Sequence, residues 1–281
     1  MNSLGFNKKE NETKVIVAMS GGVDSSVAAV KLKMEGYDVT GVTLRLYNQP
    51  NSSKSKSCCA GIDIDDAKKV AEQYDFPHKI FDYQDKFFNG VISNFVDSYA
   101  NGETPVPCIQ CNQTVKFSDL LEESKNLNAD ALVTGHYAIR KGGLKESKLF
   151  KAKDKTKDQS YFLFATLQDQ LDYVRFPLGN YLKSEIRQMA DDYNLPVSDK
   201  PDSQDICFVT SDSYRDLINK IQPDINKEGN IFDLNGNKIG VHKGIANYTV
   251  GQRKGVGVGG QKKPLYVQEV NKNQNYIVLA P

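Results

Sequence analysis

The sequence predicts an α/β protein, in which a parallel sheet with helices on both faces precedes a small antiparallel β module. The first part is indicated by short β-branched runs that alternate with segments of helical periodicity, and by a glycine turn after the first run. The second part is indicated by a change of composition near residue 214, where Gly, Asn, Val and Tyr become frequent in short alternating runs. The length of 281 residues also suggests two domains, because single domains usually span roughly 100–200 residues.

Each element of the α/β part has its own local signal. The run Lys14–Ala18 predicts a buried strand, and the polar residues 1–13 before it predict a flexible tail. Helical character over Val27–Glu35 ends at Gly36, a typical residue after a helix end. The same criteria predict strands at Tyr37–Tyr47, Pro77–Tyr83 and Ala131–Ala138, helices at Asp63–Tyr74, Phe87–Tyr99 and Cys111–Leu127, and a loop at Asn48–Ser57. We expect an α/β domain over residues 14–214 and a β-rich domain over residues 215–281.

The composition excludes several classes of protein. A chain with 39% hydrophobic and 25% charged residues can form a packed core, which excludes intrinsic disorder. Apolar runs such as Val15–Met19 are too short to cross a membrane, and the N-terminus lacks the apolar core of a secretory signal. The net charge is +1, so any nucleic-acid partner must bind a local basic patch. Five cysteines, an odd number, favour a reducing, cytoplasmic compartment over a disulfide scaffold.

The segment Ser20–Ser26 forms a glycine turn between the first predicted strand and the first predicted helix. Gly21 and Gly22 remove the Cβ atoms that would keep an anion away from the backbone N–H groups. The helix N-terminus adds unpaired donors and a partial positive charge, and Asp24 could hold Mg²⁺ on bound phosphates. The Lys of a Walker A loop and the spacing of a dinucleotide fingerprint are both missing. Phosphate binding is favoured over the alternative, a turn that only packs a strand against a helix.

This glycine turn resembles the pyrophosphate-binding loop of the N-type ATP pyrophosphatases. Members of that superfamily split ATP into AMP and pyrophosphate and usually activate a carbonyl-type oxygen as an adenylate. The resemblance at this point implies the superfamily and leaves the substrate open.

The cysteines suggest a second kind of chemistry. Cys111 lies where the fourth predicted helix begins, and a helix N-terminus would stabilise its thiolate. Cys207 alone is best interpreted as a small buried apolar residue, since it lies between Ile206 and Phe208. A zinc site formed by Cys108, Cys111 and the adjacent Cys58–Cys59 pair is an alternative, although neighbouring cysteines are poor ligands for one tetrahedral ion.

Several sequence blocks, taken in order, resemble the family of bacterial tRNA-specific 2-thiouridylases. The blocks are Ser20–Ser25, Cys111–Phe117, Thr134–Ala138, Lys157–Leu163, Ser203–Phe208 and Tyr248–Gly255. The resemblance runs from Lys14 to the C-terminus. It implies an adenine nucleotide alpha hydrolase-like, Rossmann-like fold and an enzyme that makes 2-thiouridine at the tRNA wobble position.

The resemblance also implies roles for individual residues. Cys111 corresponds to the nucleophile and Cys207 to the persulfide carrier, and the two would form a catalytic disulfide. His136 would lie beside the nucleotide. ATP would be bound by Ala18, Met19, Ser20, Gly21, Gly22, Val23, Asp24, Ser25, Leu44 and Gly135, the target base by Val106, Pro107 and Cys108, and tRNA by Lys157, Asp158 and Gln159.

The implied partners are ATP with Mg²⁺, the tRNA anticodon stem-loop and a protein that relays persulfide sulfur from a cysteine desulfurase. The implied reaction adenylates the uracil C2 oxygen, and a Cys207 persulfide then replaces AMP. Two departures from the family pattern stand out. Cys108 replaces an Asp that many relatives have, and we expect the C-terminal β-barrel of the family to be absent after Pro281.

Two further segments allow opposed interpretations. Arg140–Lys157 contains seven lysines and few acidic residues, so it could contact phosphates or be an ordinary solvated face. Tyr161–Phe164 is expected to belong to the core and not to a base-stacking platform. Other functions remain open as well: an amidating or lysine-adding ATP pyrophosphatase, which needs no paired thiols, or a tRNA-binding protein without catalysis.

Overall fold

A computed structural model describes residues 1–47, 61–202, 206–209, 213–259 and 263–281. The chain divides into two compact units. The first comprises Met1–Gly90 and Cys108–Phe208, and the second comprises Val91–Pro107 and Val209–Pro281. The predicted loop Asn48–Ser57 and the Cys58–Cys59 pair lie outside the described residues.

The first unit is built on a five-stranded, fully parallel sheet, as the sequence predicts. Its strands are β1 (Lys14–Ala18), β2 (Asp38–Arg45), β3 (His78–Asp82), β4 (Ala131–Thr134) and β7 (Val174–Arg175). The order across the sheet is β3-β2-β1-β4-β7. Ala18 is level with Val42 on one side and Thr134 on the other, so the strands end together. The strand order reverses at β1, and a crevice for ligands is expected at such a point.

Helices cover this sheet and connect its strands. They are α1 (Val23–Met34), α2 (Gly61–Gln73), α3 (Gln84–Phe87), α5 (Pro107–Cys111), α6 (Leu120–Asn126), α7 (Gln168–Tyr173) and α8 (Lys183–Asp192), with α4 (Ser93–Ala100) in the second unit. Two π-helical segments, Phe88–Ile92 and Asn112–Asp119, interrupt the helices that the sequence predicts to be continuous. A separate antiparallel hairpin of β5 (Ala138–Lys141) and β6 (Lys148–Lys151) follows β4.

The first thirteen residues are packed against the first unit, so the expectation of a flexible tail is wrong. Leu4 and Phe6 are buried members of its core. The backbone oxygen of Leu4 accepts a hydrogen bond of 2.8 Å from Nε of Arg175, which is itself buried. The sequence signal was too short to reveal this, because two apolar residues among polar ones show no periodicity.

The second unit contains the predicted small β-rich domain. Its strands are β8 (Gly229–Phe232), β9 (Lys238–His242), β10 (Tyr266–Asn271) and β11 (Tyr276–Ala280), in the order β10-β11-β8-β9. Two antiparallel hairpins are joined by a parallel pairing of β11 with β8. The helix α9 (Tyr214–Ile221) precedes this sheet. In the described part of the chain, no helix is long and apolar enough to cross a membrane.

Residues 91–107 also belong to the second unit, which the predicted division at residue 214 does not account for. The Tyr99 ring stacks on Tyr214 with 4.6 Å between the centroids. A Cβ at Gly102 would lie 2.7 Å from Cγ1 of Val270, so the backbone passes close to β10. Such contacts join segments distant in sequence and leave no local pattern.

Candidate active site

The glycine turn lies at the carboxyl end of β1, where the sheet order reverses. Gly21 has a φ of +71°, and a Cβ at this position would lie 2.1 Å from the backbone oxygen of Asp63. Only glycine meets both requirements. Gly22 is the N-cap of α1 and gives it no side-chain cap. The first amides of α1 are therefore left without the side-chain acceptor that usually binds them, as at helix ends that bind anions.

The serines of the turn hold its shape. Oγ of Ser25 accepts a hydrogen bond from the backbone N–H of Ser20 at 3.1 Å. The hydroxyls of Ser25 and Ser26 donate to the backbone oxygen of Gly22 at 3.2 and 2.9 Å. These bonds fold the turn back onto the first turn of α1. The loop is thus held in shape by its own side chains.

Two more of the predicted nucleotide residues lie on the neighbouring strands. Leu44 is buried on β2. Gly135 directly follows β4, and a Cβ there would lie only 2.9 Å from the backbone nitrogen of Ser25. The sheet therefore brings Gly135 against the glycine turn although 110 positions separate it from Ser25. No local sequence signal could have shown this approach.

Asp24 is held by two residues that the sequence did not single out. Nζ of Lys183 donates to its two carboxylate oxygens at 2.7 and 2.8 Å, and the Tyr137 hydroxyl donates to Oδ1 at 2.7 Å. An ammonium thus neutralises the carboxylate that the sequence suggested for Mg²⁺. Within the described residues, no group of three His, Cys, Asp or Glu side chains could hold a metal ion. Asp24 is therefore a poor fit to a protein-held metal site.

A second carboxylate, Asp202, joins this network. It accepts hydrogen bonds from Lys157 at 2.8 Å and Arg187 at 2.7 Å, and its Oδ1 lies 2.9 Å from Nζ of Lys183. Burial opposes the ionisation of Asp202, but the bonds from Lys157 and Lys183 prevail and hold its pKa below the usual range. Lys183 consequently bridges Asp24 and Asp202. Lys157, predicted to contact tRNA, points its charge at this network.

Lys200 fixes the other side of the glycine turn. Its Nζ donates to the backbone oxygen of Gly21 and to Oδ2 of Asp66, both at 2.9 Å, and also to Oδ1 of Asp63. Burial opposes its charge, but these carboxylate bonds raise the pKa of Lys200. Lys200 is therefore positively charged beside the turn at neutral pH. Residue spacing gave no indication of it.

Cys111 is not at a helix N-terminus, so the expected stabilisation of its thiolate is not found. The helix begins at Pro107, a favoured first helical residue, and Cys111 is the last residue of α5. Its side chain is buried. Burial raises the pKa of the Cys111 thiol, while the nearby positive charge of Lys116 opposes this rise. In this structure the thiol form is therefore favoured.

The π-helical segment Asn112–Asp119 starts directly after Cys111. Hydrogen bonds in such a segment join residues five positions apart, as between the N–H of Leu120 and the oxygen of Val115. Lys116, whose charge acts on Cys111, lies in this segment, five positions after the cysteine. π-bulges occur frequently at functional sites.

His136 lies at the end of β4 beside the helix of Cys111. Its Nδ1 is 2.8 Å from the Thr134 hydroxyl, and its ring meets the edges of Phe117 and Phe176 at 6.1 Å. Burial lowers the pKa of His136 to about 3, and the charge of Lys116 acts in the same direction. The imidazole is neutral at neutral pH. It can exchange hydrogen bonds but adds no charge to a nucleotide.

Cys207 lies at the carboxyl end of β2. The hydroxyl of Tyr47, two residues after this strand, donates to the backbone oxygen of Cys207 at 2.6 Å. The side chain of Cys207 is only half-buried, whereas the next residue, Phe208, is buried against Phe87. The interpretation of Cys207 as a purely buried apolar residue does not match this exposure. Cys108, Cys111 and Cys207 are all thiols and not disulfides.

The segments that carry the two thiols contact the strands on either side of β1. Tyr47, two residues after β2, donates to the backbone oxygen of Cys207, and Phe117, six residues after Cys111, contacts His136, two residues after β4. Both strands are direct neighbours of β1.

The predicted tRNA-contacting and base-contacting residues have mixed environments. Asp158 accepts from the backbone of Ala152 and the hydroxyl of Ser160, and Gln159 exchanges two hydrogen bonds with the backbone of Tyr137. These two side chains therefore shape their own loop. Val106 and Cys108 are exposed, and Pro107 is buried.

The fold and the glycine turn define a nucleotide-binding α/β domain of the adenine nucleotide alpha hydrolase type. Family models match nearly the whole chain: "tRNA methyl transferase HUP domain" over residues 13–211 and "tRNA methyl transferase PRC-barrel domain" over residues 215–281.

Curated relatives give a more specific assignment. Proteins named tRNA-specific 2-thiouridylase MnmA from Dinoroseobacter shibae, Jannaschia sp. and Ruegeria pomeroyi are 52%, 51% and 52% identical to this chain. Each alignment covers 100% of this chain and 74%, 74% and 76% of the respective relative. The chain belongs to the tRNA-specific 2-thiouridylase family, whose members are tRNA sulfurtransferases.

Proposed function

We propose that this protein converts the wobble uridine of tRNA into 2-thiouridine in an ATP-dependent reaction. The observation that supports the proposal is that the segments of Cys207 and Cys111 contact the ends of β2 and β4, through Tyr47 and through Phe117 with His136, and that both strands are neighbours of β1. A phosphate-binding loop on β1 with cysteine-bearing segments on the neighbouring strands suits a reaction that first activates an oxygen and then replaces it by sulfur. The names of the curated relatives support the same substrate.

The first step activates the base. The C2 oxygen of uracil is a poor leaving group, and its attack on the α-phosphate of ATP converts it into a phosphate ester and releases pyrophosphate. The uncapped amides of α1 would receive the departing phosphates. Lys200 and Lys183 hold the carbonyl of Gly21 and the carboxylate of Asp24, so the loop stays in position as charge moves.

Mg²⁺ enters this proposal only as the counter-ion of the ATP substrate. Asp24 already binds Lys183 and Tyr137, so we assign no step to a metal held by the protein. The ammonium of Lys183 instead neutralises Asp24 beside the turn. The Lys183 side chain is 12% exposed, so water screens this ion pair weakly.

The second step transfers sulfur. A persulfide on Cys207 attacks C2 with its terminal sulfur, and AMP leaves with the former uracil oxygen. The base is then joined to Cys207 through a disulfide bond. Cys111, as a thiolate, attacks the Cys207 sulfur, which forms a Cys111–Cys207 disulfide and frees the thiocarbonyl base. A two-electron dithiol reductant returns both cysteines to thiols. Cα atoms closer than about 7 Å are needed for that bond.

A second order of events uses the same thiols. Cys111 attacks the persulfide first and liberates hydrosulfide, which then displaces AMP from C2. Either order needs Cys111 deprotonated, although burial raises the pKa of its thiol. Lys116 is the cation available to offset that burial.

The remaining assignments are part of the proposal. Val106, Pro107 and Cys108 would contact the extruded base, and Lys157, Asp158 and Gln159 would contact the anticodon stem-loop. A persulfide relay protein would load Cys207 in the cytoplasm. Cys108 stands where many relatives have an acidic residue and would not act as a carboxylic acid.

The test is a reaction of the purified chain with ATP, a persulfide donor and a tRNA transcript that has uridine at the wobble position. Nucleoside mass spectrometry should detect 2-thiouridine, with AMP and pyrophosphate formed in equal amounts. Cys111→Ser and Cys207→Ser should each abolish the product by at least a hundredfold.

Control measurements separate the alternatives. Pyrophosphate exchange into ATP should persist in both cysteine variants, because adenylation needs no thiol. If Cys111→Ser releases AMP and pyrophosphate as fast as the wild type and neither protein forms 2-thiouridine, the result would indicate an amidating or lysine-adding enzyme. Binding of tRNA without any pyrophosphate exchange would indicate a protein that only binds RNA.

A further inference from the structure

The β5–β6 hairpin carries positive charges that form no ion pair within the described part of the chain. Lys141 on β5 is directly opposite Lys148 on β6, and both are exposed. Lys145 in the connecting loop and Lys151 at the end of β6 are exposed as well. None of these four lysines, here called the basic hairpin, forms an ion pair with any residue that the structure describes.

This arrangement is unfavourable for the hairpin alone. Like charges directly opposite each other on two strands are destabilising, whereas opposite charges would contribute favourably. Lys141 gains only a contact of 5.2 Å with the Phe150 ring. By contrast, the neighbouring Lys153 forms an ion pair with Glu185, so a lysine close to this hairpin does have a carboxylate partner within the chain. An external polyanion would remove the repulsion.

Aromatic side chains lie exposed on the turn that follows. The expectation that Tyr161–Phe164 belongs to the core is wrong for its two ends: Leu163 is buried, but Tyr161 is 64% and Phe164 67% exposed. The Tyr161 ring contacts Phe162 at 5.8 Å and Phe164 at 6.1 Å, so the rings form a preassembled cluster. Exposed clustered rings are suitable for stacking with unpaired bases. Tyr161 and Phe164 are here called the aromatic turn.

Hydrogen bonds connect the hairpin to the thiol site. The backbone N–H of Ala152, next to β6, donates to Asp158 at 2.8 Å. Asp158 also accepts from Ser160, where the aromatic turn begins. Nδ2 of Asn112 then donates to the backbone oxygen of Phe162 at 3.0 Å, and Asn112 directly follows Cys111. These hydrogen bonds connect the basic hairpin to the aromatic turn, and the aromatic turn to Asn112, the residue after the proposed nucleophile.

We propose that the basic hairpin and the aromatic turn together bind the anticodon arm of tRNA, with the lysines on the phosphates of its stem and the rings stacked on unpaired loop bases. The inference rests on the proposed function and assigns residues that it leaves unassigned. Double-stranded RNA is held mainly through its backbone, and loop bases are held by stacking. An acidic protein would neutralise the lysines but has no bases to stack on the adjacent rings.

The two parts should give different experimental signatures. Binding of a transcribed tRNA is measured at several salt concentrations, without ATP or sulfur donor. The variant K141Q/K148Q should weaken binding and reduce the slope of log K against log salt by about 1.5, since each phosphate contact contributes roughly 0.7–0.9. The control K9Q/K79Q removes the same charge from two exposed lysines elsewhere and should match the wild type.

Substitutions in the aromatic turn should act without changing the salt slope. Y161L/F164L keeps apolar surface but removes both rings, and the affinity for tRNA should fall about tenfold or more. Y161F keeps the ring and should bind like the wild type. Circular dichroism and the thermal midpoint should be unchanged, because both side chains are exposed.

Several results would overturn the inference. One is an unchanged salt slope in K141Q/K148Q together with unchanged affinity in Y161L/F164L. A second result would be variants that bind tRNA normally and thiolate it with inorganic sulfide, but fail to thiolate it when a protein supplies the sulfur. These residues would then form a docking site for the sulfur-donor protein. If the wild type shows the expected binding signatures but makes no 2-thiouridine, the proposed function fails and the binding surface stands.

Discussion

The thiol of Cys111 is buried, and its protonation depends on the side chain five residues later. Burial alone raises its pKa, since a thiolate loses solvation in an apolar environment. Lys116 lies in the π-helical segment that starts directly after Cys111, and its charge opposes the effect of burial. This cation therefore acts on the protonation of the cysteine.

Replacing Lys116 should therefore make Cys111 less reactive at neutral pH. Without the cation the thiolate is less favoured, so K116Q should move the pH profile of Cys111 alkylation to higher pH. K116R keeps the charge and should retain the wild-type profile. Iodoacetamide labelling followed by peptide mass spectrometry resolves Cys111 from the other cysteines. Identical profiles for K116Q and the wild type would contradict this role, and K125Q on α6 is the matched control.

Residue patterns predicted the glycine turn but not the environment of the thiol. Gly21 and Gly22 signal an unusual backbone by their type, and the structure places them at the end of β1 with Gly21 at positive φ. The state of Cys111 depends on where its helix begins and what covers it. The helix begins four residues earlier than expected, at Pro107, and this displaces Cys111 from the helix N-terminus.

At the scale of elements, Asp202 joins segments that are distant in sequence. It binds Lys157 before the aromatic turn, and both Lys183 and Arg187 on α8. Three cations around one carboxylate keep it ionised and fix α8 near the glycine turn through Lys183 and Asp24. The network therefore couples the stability of the unit to the geometry of its phosphate-binding loop.

The stability contributed by Asp202 should be lost in acid. Its pKa is lower in the folded than in the unfolded chain, where about 3.9 is usual, so this stability is present above pH 4 and disappears as the pH falls below it. D202N should lower the urea midpoint at pH 7 and show a shallower decline below pH 4 than the wild type. D191N alters an exposed carboxylate at the far end of α8 and should keep the wild-type decline. If the urea midpoints of D202N and the wild type fell equally steeply below pH 4, the role of Asp202 would be contradicted.

The central strand was predicted more accurately than the long helices in this chain, whereas the strand predicted at Ala131–Ala138 ends at Thr134. Lys14–Ala18 has the same bounds in sequence and structure, because a buried central strand is a continuous β-branched run. The predicted helix Phe87–Tyr99 is instead two helices around a π-helical segment. Hydrophobic spacing indicates that a helix exists but does not distinguish local changes in its hydrogen bonding. The ion pairs of Asp24 and Asp202 depend on the completed sheet, so spacing could not indicate them.

At the scale of the whole molecule, the N-terminal residues are part of the folded first unit. Leu4 and Phe6 are buried in the core of the first unit. The guanidinium of Arg175, at the edge strand β7, lies 4.6 Å from the Phe6 ring and donates to the Leu4 oxygen. Burial lowers the pKa of Arg175 to about 10. The N-terminal residues therefore provide two partners of a buried cation that also donates to the backbone oxygens of Asp172 and Val174.

Removing the Phe6 ring should destabilise the first unit well beyond the loss of a terminal side chain. F6A leaves a cavity and exposes one face of the Arg175 cation to an empty space, so we expect a loss of about 3 kcal/mol in the free energy of unfolding. N7A, which alters the exposed neighbouring residue, should change that free energy by less than about 0.5 kcal/mol. Urea unfolding followed by far-UV circular dichroism measures both variants. Because two units contribute to this signal, hydrogen exchange of β1 and β7 amides shows which unit is affected. Equal stability of F6A and N7A would mean that the N-terminal segment is the mobile tail that its polar sequence suggests.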